Sequence, residues 1–105
     1  MTAEVSKPGG WTSEEVITPE VKKICLEVKS DIEKKAGATF ETYIPLSFGT
    51  QIVSGKNHLV KVYVGVNQCV HAMITQALPC NGGELTVTGV QYPKTASEPL
   101  IPFGH

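Results

Sequence analysis

The apolar pattern of this chain changes its period once, and that change limits the fold more than any other feature does. Up to Gly37, apolar residues recur at the spacing of one helix face: Val21, Ile24, Cys25, Val28 and Ile32. Thr18 can cap this segment, Pro19 suits the first helical position and Glu20 suits the positive first turn. The pattern therefore predicts one helix of about 17 residues that begins at Pro19 and stops at Gly37.

Beyond Gly37, apolar and polar residues alternate, which is the period of a half-buried strand. A first strand is predicted over residues 40–49, and Pro45 places it at a sheet edge or gives it a bulge. Three more strands are predicted over residues 59–64, 69–77 and 85–92, joined by short turns. One helix followed by four consecutive strands predicts an α+β fold, with the helix packed on an antiparallel β-sheet meander whose other face is partly wet.

Length and composition favour a single domain over residues 1–105. Of the 105 residues, 41% are hydrophobic, which is enough for one modest core. Residues 1–17 lack a sustained period and contain Pro8-Gly9-Gly10, so they are predicted to form a mobile N-terminal arm. Residues 93–105 carry three prolines and are predicted to form a C-terminal tail with little regular structure.

The charges and cysteines argue against several classes of partner. Nine lysines and no arginine stand against ten acids, for a net charge of -1, so nucleic acid is not an expected partner. No apolar stretch approaches the roughly 18 residues of a membrane span, and the N-terminus lacks a secretory pattern, so no membrane partner is expected. Cys25, Cys69 and Cys80 fit neither a disulfide framework nor a metal or redox motif. This usage favours a cytoplasmic protein.

Groups for catalysis or cofactor binding are scarce in the sequence. Cys69 and His71 share a strand face and could form a thiolate and its base, but ordinary strand residues are the favoured interpretation. A small hydrolase built on this pair is the weakest of the functional hypotheses. The histidines and cysteines show no zinc spacing, and Gly82-Gly83 lacks the helix that follows a phosphate loop. Neither a metal nor a cofactor is predicted.

The turns are unusual because apolar residues lead into them. The first hairpin reaches its turn through Ile52-Val53, and the turn after the third strand opens with Leu78-Pro79. In an up-and-down meander these two turns lie at the same end of the sheet, and the N-terminal arm can lie there too. The tips either form one exposed apolar edge, which typically marks a partner site, or fold back under the sheet.

Three motifs resemble those of the cystatin superfamily. Gln51-Ile52-Val53-Ser54-Gly55 is similar to its Gln-x-Val-x-Gly first hairpin, and Pro8-Gly9-Gly10 is similar to its glycine trunk. Leu78-Pro79 is similar to the second hairpin of the type 1 branch, the stefins. The motifs occur in family order and spacing, and the resemblance covers roughly residues 8–92.

The resemblance implies a reversible, tight-binding competitive inhibitor of papain-like cysteine proteases of the cathepsin type. A trunk and two hairpins would fill the active-site cleft, and no residue of this chain would be catalytic. The resemblance also implies a monomer when active and an inactive dimer that exchanges the first hairpin. The implied protease-binding residues are Pro8, Gly9, Gly10, Gln51, Ile52, Val53, Ser54, Gly55, Leu78, Pro79 and Cys80.

The chain departs from the stefin pattern in three places. Lys7 replaces a commonly apolar trunk residue, Cys80 occupies a position that is commonly histidine or glycine, and residues 93–105 differ from the family's tail. The alternative from another functional class is a non-inhibitory binding module that pairs a peptide or protein with an exposed sheet edge.

Overall fold

A computed structural model describes residues 10–103, and within them the chain forms two helices on one face of a five-stranded antiparallel sheet. The strand order follows the sequence, β1-β2-β3-β4-β5. The elements are β1 (Glu15–Val16), α1 (Pro19–Glu27), α2 (Lys29–Ala36), β2 (Ile44–Val53), β3 (Gly55–Gly65), β4 (Gln68–Gln76) and β5 (Leu85–Lys94). The predicted α+β fold, with helical structure packed on an antiparallel meander, is confirmed.

The predicted ends of the helical segment are correct, but its continuity is not. Thr18 Oγ1 accepts a hydrogen bond from the Val21 amide at 3.3 Å, and Gly37 ends the segment with a φ of 72°. Between α1 and α2, Val28 leaves helical geometry with φ -104° and ψ 14°. The hydroxyl of Tyr43 donates to the Cys25 carbonyl at 2.8 Å, one turn before α2 begins. A tertiary hydrogen bond at this level therefore accompanies the distortion.

The first long strand begins at Ile44, and the predicted start at residue 40 is wrong. The Phe40 amide donates to a carboxylate oxygen of Glu33 at 2.8 Å, so this backbone group is satisfied from the helix end without a strand neighbour. The register of β2 on β3 shifts between Pro45 and Ser47. Of the two predicted alternatives at the proline, a sheet edge or a bulge, the structure has the bulge.

The main core lies between the helices and the sheet. All five apolar residues of the predicted helix stripe are buried, and they pack with buried residues of the sheet: Val60, Val62, Val70, Ala72, Ile74 and Val87. Burial of this one continuous cluster is what fixes the helices on the sheet.

The opposite face of the sheet carries a second cluster that the sequence did not predict. Trp11 and Leu100 are buried there against Leu59 and Met73 of the sheet. Within the predicted arm, residues 15–16 form β1, which pairs with β2, while residues 1–9 lie outside the described residues. The predicted tail likewise begins inside β5, which runs to Lys94. Both terminal segments therefore contact the sheet, the first through Trp11 and β1 and the second through β5 and Leu100.

Candidate functional site

The first hairpin is paired almost to its tip. Val53 stands opposite Gly55 in the register of β2 and β3, so Ser54 alone makes the turn. Gly55 is buried and has a φ of 110°, a conformation that residues with a side chain rarely adopt. A Cβ at this position would overlap the carbonyl oxygen of Gln76. Glycine therefore allows the hairpin to lie directly against the end of β4.

A chain of side-chain hydrogen bonds crosses three strands beneath this hairpin. The Asn57 amide donates to Gln51 Oε1 at 2.8 Å, and the Thr75 hydroxyl donates to Asn57 Oδ1 at 2.8 Å. We call this chain of hydrogen bonds between Gln51, Asn57 and Thr75 the first brace. Gln51, a predicted site residue, is half-buried and takes part in it. The structure thus gives Gln51 a role in holding the hairpin at a fixed angle to β4.

A second brace lies on the other face of the sheet. It is formed by Thr50, His58 and Gln76, each the direct sequence neighbour of a residue in the first brace. The buried ring of His58 has Thr50 Oγ1 within 3.3 Å of its Nδ1 and Gln76 Oε1 within 3.1 Å of its Nε2. Burial lowers the pKa of His58, so the neutral ring is favoured. Neither Asn57 nor His58 was predicted as a site residue, although two polar residues entering an apolar strand were a usable signal.

The second hairpin connects β4 to β5 through a single 3-10 turn over Pro79–Asn81. The amides of Asn81 and Gly83 both donate to the Leu78 carbonyl, at 2.8 and 3.0 Å. Leu78, Pro79 and Cys80 are exposed. These backbone bonds fix the loop while its apolar side chains remain in solvent.

The two hairpins enclose one groove. It has a volume of about 560 Å³, and its walls include Ile52 and Val53 on one side and Leu78 and Pro79 on the other. Ile52 is 71% exposed, Val53 45% and Leu78 39%. The alternative in which these residues fold back under the sheet is therefore wrong.

Residues 10–12 lie along β2 on the side of β1 that faces the first hairpin. The Thr12 amide donates to the Thr50 carbonyl at 2.9 Å, and the Thr50 amide donates to Thr12 Oγ1 at 3.0 Å. Since β1 runs antiparallel to β2, the segment from Thr12 back to Gly10 runs toward the tip of the first hairpin. Gly10 is exposed with a φ of 80°, whereas Pro8 and Gly9 lie outside the described residues.

Cys69 and His71 do not form a reactive pair in the structure. Both are buried, at 0% and 1% exposure, so a substrate has no access to them. Burial raises the pKa of the Cys69 thiol, and burial with the charges of Lys61 and Lys94 lowers the pKa of His71 to about 4. The thiol therefore stays protonated, whereas nucleophilic attack needs the thiolate.

Other classes of site find no support in residues 10–103. No group of three or more His, Cys, Asp or Glu side chains there could hold a metal ion. Within the same range, no helix has both the length and the apolar character needed to cross a membrane.

Comparison with known proteins assigns the chain to one family. A family model described as the cystatin domain matches residues 9–97. Cystatin-A1 of Sus scrofa is 35% identical over 103 residues, covering 98% of this chain and 100% of the relative. Leukocyte cysteine proteinase inhibitor 1 of Sus scrofa gives the same identity and coverage. Cystatin-B of Oplegnathus fasciatus is 37% identical over 84 residues, covering 80% of this chain and 84% of the relative.

The chain belongs to the cystatin family, and within it to the type 1, or stefin, branch. The members of this family are protease inhibitors and not enzymes.

Proposed function

We propose that the chain is a reversible, tight-binding competitive inhibitor of papain-like cysteine proteases, including the cathepsin type. The observation that carries the proposal is the groove between the two hairpins, whose rims carry the exposed apolar side chains of Ile52, Val53 and Leu78. The proposed protease-binding residues are Pro8, Gly9, Gly10, Gln51, Ile52, Val53, Ser54, Gly55, Leu78, Pro79 and Cys80.

The proposed mechanism is occlusion of the cleft. Ile52 and Val53 press on one rim of the protease cleft, and Leu78 and Pro79 press on its primed side. The trunk follows the path of a substrate and turns away at Gly9, so no carbonyl reaches the catalytic thiolate. Because two polar braces and the backbone bonds of the second hairpin already fix the hairpins, little ordering entropy is lost on binding.

The proposed partner, assembly and location follow from the same chemistry. The relative named as a leukocyte cysteine proteinase inhibitor supports a cysteine protease as partner. Activity is assigned to the monomer, and exchange of the first hairpin between two chains is proposed to give an inactive dimer. A reducing compartment, the cytosol, suits a protein whose Cys25, Cys69 and Cys80 are all free.

Titration of active papain with the purified protein tests the proposal. We expect loss of activity in proportion to the inhibitor added, reversal by competing substrate, and no effect on a serine protease or a metalloprotease. Val53→Asp places a charge among the apolar side chains at the rim of the groove and should weaken inhibition by about 30-fold or more. Val66→Asp is the matched control, because Val66 is 90% exposed at a turn on the opposite end of the sheet.

Full papain activity at micromolar inhibitor would overturn the proposal. That outcome is also the one expected of a non-inhibitory module that binds a peptide at the sheet edge. Equal weakening by Val53→Asp and Val66→Asp would remove the groove from the mechanism.

A further inference from the structure

The residue that follows the trunk glycines is anchored in the second cluster. Trp11 is 6% exposed and is the only tryptophan of the chain. It packs with Leu59 and Met73 of the sheet and with Leu100 of the C-terminal tail, which is 1% exposed. The tail therefore covers the point at which the trunk leaves the folded domain.

Polar contacts join the same two terminal segments to one buried lysine. Lys61 Nζ lies 3.0 Å from Glu14 Oε2 and donates to the Ala96 carbonyl at 2.9 Å. The other oxygen of Glu14 accepts the Leu100 amide at 3.2 Å. Lys61 is 5% exposed, so this ammonium group depends on these partners for solvation. We call Trp11, Glu14, Lys61, Ala96 and Leu100 the terminal clasp.

The clasp constrains where the trunk begins. Glu14 and Trp11 stand on the segment between the trunk and β1, and each contacts the tail or Lys61. Without the tail, Trp11 would lose one wall of its site, and the chain on the trunk side of β1 would sample more directions. Ordering that chain against a protease would then lose more conformational entropy.

We propose that the C-terminal tail is a positioning element for the protease-binding trunk, acting through the clasp. This inference rests on the proposed function. Leu100 and Glu14 are positioning residues in this scheme, because they act through Trp11 and the course of the chain before it. The two hairpins, which have their own braces, should not depend on the clasp.

A double-mutant cycle in the full-length chain separates positioning from general stability. Leu100→Ala is combined with Gly9→Glu, which disables the trunk, and papain inhibition constants are measured for all four proteins. We expect Leu100→Ala to weaken inhibition about tenfold alone and less than about twofold in the Gly9→Glu background. Ile101→Ala, at a tail residue that is 62% exposed, should leave inhibition unchanged.

Val87→Ala supplies the control for lost stability, because Val87 is 5% exposed in the main core and belongs to a cluster that excludes the clasp. It should lower the unfolding midpoint as Leu100→Ala does and leave the inhibition constant of the folded protein unchanged. Leu100→Met, which restores most of the lost volume, should recover inhibition.

Fluorescence of the single tryptophan gives an independent readout of the clasp. Acrylamide should quench Trp11 more strongly in folded Leu100→Ala than in the wild type or in Val87→Ala. The inference is wrong if quenching is unchanged, or if Leu100→Ala weakens inhibition equally in both trunk backgrounds. If wild-type protein leaves papain active, the proposed function fails and takes this inference with it.

Discussion

Replacing Gly55 by alanine tests whether the two hairpins form one surface of fixed geometry. At this position an added Cβ would overlap the Gln76 carbonyl oxygen and lie 3.4 Å from the Cα of Ala77. All of the crowding atoms belong to the backbone, so no side-chain rotation relieves the overlap. The tip of the first hairpin must therefore move away from the end of β4, which carries the second hairpin.

Gly55→Ala is expected to lower both the folding stability and the affinity for the protease. A φ of 110° is unfavourable for alanine, and such strain costs about 1–3 kcal/mol of folding stability. Separating the hairpins removes the fit of their apolar tips to one cleft. If Ile52 and Val53 act as binding hot spots, the loss of affinity is about 2–4 kcal/mol, or roughly 30- to 1000-fold in the inhibition constant.

The assay compares Gly55→Ala with Gly37→Ala. Gly37 also has a positive φ, 72°, but a Cβ there meets no atom within 4 Å, and it ends α2 away from the groove. Both variants should be less stable in urea unfolding, and only Gly55→Ala should lose papain inhibition. If the two folded variants inhibit equally well, the close approach at Gly55 does not set the binding geometry.

Four further results are expected. Gly9→Glu should weaken papain inhibition more than Lys7→Ala, measured as inhibition constants, since a side chain at the proposed turn would collide with the enzyme. Maleimide should label exposed Cys80 before buried Cys25, because burial raises the pKa of the Cys25 thiol to about 12. The Cys80 adduct should weaken papain inhibition, whereas Cys80→Ser should not. Partial unfolding by heat should produce a dimer that has exchanged the first hairpin, and sizing followed by assay should find it inactive. The pKa of His71 is about 4 in the folded protein against 6.5 for a free histidine, so the folded state binds this proton less tightly than the unfolded state does. The free energy of unfolding should therefore fall by up to about 3 kcal/mol as the pH drops from 6.5 to 4. His71→Gln should flatten this pH dependence, measured by urea unfolding.

Each of these results has an outcome that contradicts it. Equal inhibition by Gly9→Glu and the wild type would exclude the trunk, and earlier labelling of Cys25 than of Cys80 would contradict the burial of the helix stripe. A fully active dimer would show that the exchange leaves the first hairpin intact. A pH dependence that survives His71→Gln would assign the acid sensitivity to another group.

The ends of the helical segment were predictable because their signals are local. Thr18 caps its own helix and Gly37 adopts its own left-handed turn, so neighbouring residues contain all the needed information. The interruption at Val28 was not predictable in this way. It lies beside a hydrogen bond from Tyr43, which is 18 residues away from its acceptor Cys25.

The same distinction divides the candidate site. Apolar residues at turn ends were visible in the pattern, and the structure confirms that Ile52 and Leu78 are exposed. The braces depend on register, because Asn57 meets Gln51 and Thr75 only when three strands align. The alternation of apolar and polar residues shows which residues share one face of a strand, but it does not show their partners on the neighbouring strands.

The second cluster was the least predictable part, because it brings both ends of the chain together on the sheet. The bond from the Leu100 amide to Glu14 joins residues 86 positions apart. Neither residue belongs to a periodic segment of the sequence, so no local signal identifies them. The sequence predicts a partly wet sheet face, yet Lys61 is buried there, because the residues that cover it lie far away in sequence.

The exposed apolar tips are the part of the molecule that folding alone does not explain. Burial of the main core accounts for the helices and the sheet, but Ile52 at 71% exposure contributes little to it. The chain nevertheless braces the base of this hairpin on both sheet faces, with Asn57 on one side and His58 on the other. Rigid support for side chains held in water reduces the entropy lost when a partner covers them. The arrangement therefore fits a surface prepared for a partner, with its rigidity supplied by hydrogen bonds at the base of the hairpin.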